Sequence, residues 1–199
     1  MLPLSGCKGR RYRPEYVTKA LLSRKPRHSC RGAVTVDLQH AFMNRDTRCI
    51  IPKVEKKLQD YRHIAATRFH NQEGSNYRRL LDWDACSAED SGFSLVLDLP
   101  ERAMIFDKPG YNGLTPLFQQ TLSRLGIKTV HICGVDTDAC ILATAIGIFD
   151  LGLRPVVIAS ACASSGGFRD ASRWVRYFAS QYWCCPGGSI TVLFVLHTT

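Results

Sequence analysis

Short apolar runs rich in β-branched residues alternate with amphipathic segments along most of this 199-residue chain. Residues 33–38 read Ala-Val-Thr-Val-Asp-Leu, a composition typical of a strand that is buried on both faces. Further on, Thr115 followed by Pro116 predicts the start of a helix, and Gly126 predicts its end. Because strands and helices alternate in this way, the sequence predicts an α/β fold with a mainly parallel sheet and right-handed crossovers.

The same patterns place the other elements. Apolar spacing and turn residues predict the remaining strands at residues 63–69, 103–106, 128–135, 154–159 and 189–196. Helices are predicted at residues 50–61, 138–151 and 170–182. Residues 71–92 form a long polar excursion with scattered aromatic side chains and one short helix. This excursion is expected to supply pocket side chains whose positions the sequence does not determine.

The basic excess of the chain is concentrated at its N-terminus. Lys and Arg total 26 and Asp and Glu total 17, a formal net charge of +9, and residues 1–31 carry +8 of it. We interpret residues 1–31 as a basic, poorly ordered extension, with a targeting segment as the alternative, and residues 32–199 as one domain. Nucleic-acid binding through the extension is a further alternative, which no RNA-recognition, helix-turn-helix or zinc motif supports. The prediction is therefore a small-molecule partner and no nucleic acid.

Nine cysteines occur at spacings that fit neither a disulfide scaffold nor a zinc site. A chain of this length buries a core without disulfides, so we expect reduced thiols and a cytoplasmic location. The longest apolar run, residues 190–196, has the length of a strand and falls far short of the roughly 20 residues that span a bilayer. No membrane partner is therefore expected.

Three reactive side chains fall where predicted strands end. Asp37 ends the first strand, Lys108 follows the third, and Cys140 lies near the start of the helix after the fourth. In open α/β sheets, sites form outside the carboxyl ends of the strands, so these groups are expected to converge. A helix N-terminus and a nearby lysine favour a thiolate, and a carboxylate can take the thiol proton. Backbone N–H groups of residues 134–138 could form an oxyanion hole beside this nucleophile.

Each of these residues also has an ordinary interpretation: a turn aspartate, a solvated lysine and a small core cysteine. Four segments, which follow one another along the chain, support the catalytic interpretation: residues 36–42 (Val-Asp-Leu-Gln-His-Ala-Phe), 107–108 (Asp-Lys), 134–140 (Gly-Val-Asp-Thr-Asp-Ala-Cys) and 161–167 (Ala-Cys-Ala-Ser-Ser-Gly-Gly). With them, residues 33–168 resemble the isochorismatase-like cysteine hydrolases. The resemblance implies a three-layer, Rossmann-like fold, in which helices cover both faces of a mainly parallel six-stranded sheet.

The resemblance also implies a mechanism. It implies that Asp37, Lys108 and Cys140 form a catalytic triad. It further implies a cis peptide bond between Val135 and Asp136, which turns the backbone N–H groups of Asp136 and Cys140 toward an oxyanion. Pocket walls are predicted at three aromatic positions, with ordinary core packing as the alternative: Phe42, Tyr111 and Phe168.

The sequence differs from known branches of the family in three ways, and these differences restrict the expected chemistry. Isochorismatases that cleave a vinyl ether lack the cysteine, so Cys140 favours the covalent, amidase-like branch. Nicotinamidases of the family hold a metal through an Asp-x-His segment and further histidines, whereas residues 66–71 here read Ala-Thr-Arg-Phe-His-Asn. We therefore predict no metal and no cofactor. The C-terminal residues 169–199 are atypical, and either a frameshifted or a divergent end fits them.

The leading hypothesis is a cysteine hydrolase that cleaves a C–N bond of a small amide or carbamoyl compound through a thioester on Cys140. The alternative is a catalytically silent scaffold or binding protein with the same fold. The two differ in whether carboxylate, ammonium and thiol lie within about 4 Å of one another in a cleft. Family members often form homo-oligomers through exposed helices, so the resemblance leaves a homo-oligomer open.

Overall fold

The strands assemble into one parallel sheet. The computed structural model describes residues 30–167 and the backbone of residues 191–193. The strands are β1 (Arg31–Val36), β2 (His63–Phe69), β3 (Met104–Lys108), β4 (Thr129–Gly134), β5 (Arg154–Cys162) and β6 (Thr191–Leu193). They lie in the order β3-β2-β1-β4-β5-β6, and all neighbouring pairs are parallel. The first five strands have five to nine residues and β6 has three. The predicted α/β class with a parallel sheet is confirmed.

Helices lie in the four connections from β1 to β5. They are α1 (Arg45–Arg48), α2 (Ile51–Leu58), α3 (Asn76–Leu81), α4 (Pro116–Arg124) and α5 (Leu142–Asp150). Helix α4 begins as the sequence predicts, because the Thr115 side chain accepts a hydrogen bond from the Phe118 N–H and Pro116 occupies the first turn. Gly126 follows its end with φ +63°, a conformation that favours glycine. Among the described residues, no helix is long and apolar enough to cross a membrane.

Helices pack on both faces of the sheet, since successive strand residues point to opposite sides. On β1, Ala33 belongs to a buried cluster with Val54 of α2. Its neighbour Val34 belongs to a second cluster with Phe118 of α4 and Ile148 of α5. Strand β1 is thus buried on both faces, which explains its continuous apolar run.

The order of the strands reverses between β1 and β4. From β1 the sheet extends through β2 to β3 on one side, and from β4 it extends through β5 to β6 on the other. In a doubly wound sheet, such a reversal opens a crevice beyond the carboxyl ends of the two central strands. The carboxyl ends of β1 and β4 therefore form the natural place for a site.

The helix predicted at residues 138–151 begins differently from the prediction. A π-helical turn, Thr137–Ile141, precedes α5, because the Asp136 carbonyl accepts hydrogen bonds from the N–H groups of both Ala139 and Ile141. A wide turn therefore connects β4 to the regular helix.

Other boundaries differ less. Strand β5 continues to Cys162, three residues past the predicted end. The predicted last strand at residues 189–196 contains β6. The predicted helix at residues 170–182 and the extension up to residue 29 lie outside the described residues.

Candidate active site

Three side chains from separate parts of the fold meet at the carboxyl edge of the sheet. Asp37 directly follows β1, Lys108 ends β3, and Cys140 lies in the π-helical turn after β4. Their exposed fractions are 1%, 0% and 9%. A buried carboxylate and a buried ammonium are tolerated only when they pair, so the positions of these charges depend on each other.

The Lys108 ammonium lies between the carboxylate and the thiol. Its Nζ is 2.7 Å from Asp37 Oδ2 and 3.5 Å from Cys140 Sγ. It also donates hydrogen bonds to the carbonyl oxygens of Gly110, at 2.6 Å, and Tyr111, at 3.2 Å. One cation is therefore held within 4 Å of both the candidate base and the candidate nucleophile.

The backbone and side chain of Asp37 are anchored to the neighbouring strand β2. The Thr67 hydroxyl donates a hydrogen bond to Asp37 Oδ1 at 2.8 Å, and the Asp37 N–H donates to the Thr67 carbonyl at 3.2 Å. Asp37 has φ +51°, which turns the chain out of β1 at this residue. Because Oδ1 is fixed by Thr67, Oδ2 faces Lys108.

The environment of Cys140 favours the thiol over the thiolate. Burial raises the pKa of Cys140 most, and the negative charge of Asp37 raises it further. The Lys108 ammonium lowers the pKa of Cys140, as the sequence predicts, but this effect is outweighed. Burial and the Asp37 carboxylate therefore act against the favoured thiolate that the sequence predicts, and the sequence reasoning included neither effect.

Hydrogen bonds connect the turn that holds Cys140 to neighbouring parts of the carboxyl edge of the sheet. The peptide bond between Val135 and Asp136 is cis. The Asp136 carbonyl accepts hydrogen bonds from the N–H groups on either side of Cys140, and the Asp136 carboxylate accepts from the N–H and hydroxyl of Ser165, at 2.8 and 2.7 Å. Burial raises the pKa of Asp136, while the bonds from Ser165 lower it.

Gly134 allows β4 to reach this turn. It has φ +119°, and a Cβ at this position would overlap the backbone carbonyl and amide of Val36 on β1. Only glycine lets the two central strands approach so closely. Gly134, the first residue of the motif at residues 134–140, is therefore required for the backbone of β4 to approach β1.

A cavity of about 200 Å³ opens over these groups. Asp37, Asp136 and Cys140 line its base. Its walls are largely aromatic and are formed by Phe42, Phe69, Tyr77, Trp83 and Tyr111. Such walls exclude water and offer flat apolar surfaces to a small molecule.

The structure places two of the three predicted pocket residues, Phe42 and Tyr111, on this cavity. The third, Phe168, lies outside the described residues. Three further wall residues were missed by the sequence reasoning: Phe69, Tyr77 and Trp83. The aromatic side chains noted in residues 71–92 were the available signal for two of them, but their direction depends on a chain path that local patterns do not determine.

The donors near residues 66–71 do not fit a metal ion. Arg68 forms a two-point ion pair with Asp107, at 2.6 and 3.0 Å, and its guanidinium lies 4.1 Å from the centre of the Phe93 ring. The His70 ring packs against Phe93 at 5.1 Å. Within residues 30–167, no group of three or more His, Cys, Asp or Glu side chains could hold a metal.

Comparison with known proteins identifies a family. The family model described as the isochorismatase domain matches residues 32–184. The bovine protein called isochorismatase domain-containing protein 2 is 44% identical over 53 residues, which are 26% of this chain and 26% of that protein. The match thus spans about a quarter of the length of this curated relative.

Solved structures match over a larger part of the chain. A pyrazinamidase from Pyrococcus horikoshii, solved in complex with zinc, has a TM-score of 0.71 and 26% identity over 82% of this chain and 98% of that chain. An N-carbamoylsarcosine amidase from Thermoplasma acidophilum has a TM-score of 0.70 and 19% identity over 81% of this chain and 95% of that chain. At such low identity, the second likeness concerns the fold alone.

Proposed function

The chain belongs to the isochorismatase domain family, and from this premise we propose that it is a hydrolase that cleaves a C–N bond of a small amide or carbamoyl compound through a thioester on Cys140. One observation carries the proposal: the Lys108 ammonium lies 2.7 Å from the Asp37 carboxylate and 3.5 Å from the Cys140 thiol. A silent scaffold has no need of a buried charge pair beside a thiol, and such pairs seldom add net stability. The name of the 26% identical solved relative, a pyrazinamidase, agrees with this reaction class.

The first step transfers a proton and forms a bond. Asp37 takes the proton of the Cys140 thiol, and the resulting thiolate attacks the amide carbon, whose carbonyl π electrons move to oxygen. Because the pKa of Cys140 is raised in the resting site, the thiol needs a base, and Asp37 supplies it. Lys108 supports this step, since its charge stabilises both the carboxylate and the developing thiolate.

The tetrahedral oxyanion requires hydrogen-bond donors. We assign this role to the backbone N–H groups of Asp136 and Cys140, which belong to the turn that lines the base of the cavity. Donors that a folded turn holds in place stabilise such a charge without reorganisation. The bonds between Asp136 and Ser165 hold this turn in place.

The second half of the reaction releases the products. The oxyanion re-forms the carbonyl as the C–N bond breaks, and protonated Asp37 gives its proton to the amide nitrogen, so that ammonia or an amine leaves. Asp37 then takes a proton from water, and the hydroxide attacks the thioester to give a second oxyanion. As this oxyanion re-forms the carbonyl, the Cys140 thiolate leaves and takes the proton back from Asp37. The net reaction is amide plus water giving carboxylic acid plus amine.

The cavity favours a compact substrate. Its volume of about 200 Å³ and its aromatic walls fit a small molecule with an apolar or flat acyl part. A cytoplasmic location, a homo-oligomer and the division of the chain at residue 31 remain predictions.

Replacing the nucleophile tests the proposal. Cys140→Ala should lower ammonia release from a panel of small amides by about 10⁴-fold or more, because no acyl-enzyme can form. Cys49→Ala, at an exposed thiol distant in sequence, is the control and should retain activity. Mass spectrometry of the wild-type protein should find the acyl group on Cys140. Full turnover by Cys140→Ala would contradict the mechanism, and a wild-type protein that releases no ammonia from any amide would contradict the reaction class.

A further inference from the structure

Tyr77 is a part of the site that the mechanism above leaves unused. It lies in α3, within the excursion between β2 and β3, and it lines the cavity. Three aromatic neighbours contact its ring: Phe69 at 4.7 Å, Tyr111 at 5.3 Å and Trp83 at 6.3 Å between ring centres. Edge-on contacts of this kind fix the plane of a phenol ring, and they thereby fix the direction of its hydroxyl group.

The hydroxyl group of Tyr77 lies beside the turn that holds the Lys108 ammonium. Its oxygen is 3.9 Å from the position that a Cβ on Gly110 would take, and the Gly110 and Tyr111 carbonyls bind Lys108. Burial raises the pKa of Tyr77 to about 12, the negative charge of Asp37 contributes, and a backbone hydrogen bond with Tyr111 lowers this pKa. The phenol is therefore neutral at physiological pH and can donate a hydrogen bond.

The two carboxylates that line the cavity already have partners. Asp37 is bound by Lys108 and Thr67. The Asp136 carboxylate is bound by Ser165. The Tyr77 hydroxyl group has a backbone hydrogen bond with Tyr111, and within the described part of the chain no side chain accepts a hydrogen bond from it. This donor can therefore bind a ligand without breaking the network that holds the nucleophile.

We propose that Tyr77 determines specificity by donating a hydrogen bond to an acceptor atom in the acyl part of the amide, away from the carbonyl that reacts. The inference rests on the proposed function and deepens it. The preferred substrates are small amides with a compact ring that carries an oxygen or nitrogen acceptor. The ring packs between the aromatic walls, and the acceptor meets Tyr77. A site built to bind such an acceptor rejects the analogue that lacks it.

Binding measurements test the proposal independently of turnover. The background is the Cys140→Ala protein, in which amides bind intact. Calorimetry would give Kd for two pairs of carboxamides that differ in one ring atom: cyclohexanecarboxamide against tetrahydropyran-4-carboxamide, and benzamide against pyridine-4-carboxamide. Each pair is measured with Tyr77 and with Tyr77→Phe, which keeps the ring and removes only the hydroxyl. Tyr61→Phe is the matched control, because Tyr61 is a buried tyrosine in the cluster on the α2 face.

We expect Tyr77→Phe to weaken the acceptor-bearing member of at least one pair about tenfold and to leave its partner unchanged. Tyr61→Phe should change none of the four Kd values. Tyr77→Leu, which also removes the ring, should weaken both members. In the enzyme with Cys140 intact, Tyr77→Phe should raise KM more than it lowers kcat.

Two results would overturn the inference. Equal effects of Tyr77→Phe on both members of each pair would show that the hydroxyl does not recognise the ring acceptor. Failure of all four amides to bind would refute the substrate class. Neither result depends on whether Cys140 is the nucleophile, so failure here is distinguishable from failure of the proposed reaction.

Discussion

The two halves of the site are built in different ways. The reacting groups stand on the sheet, where Asp37 and Lys108 are buried and paired at 2.7 Å. The recognition groups Tyr77 and Trp83 come from the excursion between β2 and β3, where they are half-buried and are held largely by contacts between rings. The reacting groups thus belong to the buried core, whereas the recognition groups lie in a segment outside the sheet.

This difference separates two kinds of mutational effect. A change at the sheet edge disturbs charges and backbone contacts that the fold itself needs, so stability and activity should fall together. A change in the excursion should alter binding while the sheet stays intact. The variants below test this separation, beginning with the largest expected effect.

Lys108→Met should have the largest effect on stability. It leaves the Asp37 carboxylate buried without its cation, which is expected to cost about 3–5 kcal/mol in the free energy of unfolding. Lys57→Met removes an exposed ion pair with Asp60 at 2.7 Å and should cost at most about 1 kcal/mol. Denaturant unfolding of both variants makes the comparison. Equal, small losses would mean that the buried pair is not a structural element.

Gly134→Ala should destabilise the junction of the central strands by about 3 kcal/mol, because the new Cβ meets the Val36 backbone and the φ of +119° is unfavourable. Gly126→Ala is the matched control. Gly126 also has positive φ, but it has no atom within 4 Å of the added Cβ, so only the conformational cost of about 1 kcal/mol remains. Thermal unfolding distinguishes the two, and a Gly134→Ala loss no larger than the control would exclude the steric argument.

Gln39 connects the two halves. Its buried amide donates to the carbonyl oxygens of Phe69, at 3.0 Å, and Phe93, at 2.9 Å, and accepts from the Phe69 N–H at 2.7 Å. Phe69 and Phe93 lie close to the start and the end of the excursion. Gln39 therefore fastens both ends of the aromatic segment beside Asp37, to whose carbonyl its own N–H donates at 2.8 Å.

Gln39→Leu should cost about 2 kcal/mol of stability, because three backbone groups lose a buried partner. It should also raise KM more than it lowers kcat, since it releases the aromatic wall and leaves the Lys108 contacts in place. Gln119→Leu, which removes one hydrogen bond to Leu114, is the control and should leave KM unchanged. A fall in kcat at constant KM would show instead that Gln39 acts on the reacting groups.

The difference between the sheet and the excursion also explains which site residues the sequence could predict. Asp37, Lys108 and Cys140 were found because they end or follow strands, and parallel topology brings such ends together. Phe69 also ends a strand. Tyr77 and Trp83, however, lie in the 22-residue excursion at residues 71–92, whose path depends on contacts such as those of Gln39. Local patterns predict neither those contacts nor the burial that raises the pKa of Cys140.

Burial at the sheet edge should also appear in the pH dependence of alkylation, the smallest effect considered. Only the thiolate reacts with iodoacetamide, and burial with Asp37 raises the pKa of Cys140 above its ordinary value of 9.0. Labelling of Cys140, followed by peptide mass spectrometry, should therefore still increase with pH above about 10, where a model thiol approaches its plateau. At neutral pH the thiolate fraction should be below that of the model thiol, because the pKa of Cys140 is raised. Lys108→Met should displace the profile further upward, because it removes the cation that lowers the pKa of Cys140. A plateau already below about pH 8 would show that the ammonium outweighs burial and that the nucleophile rests as a thiolate.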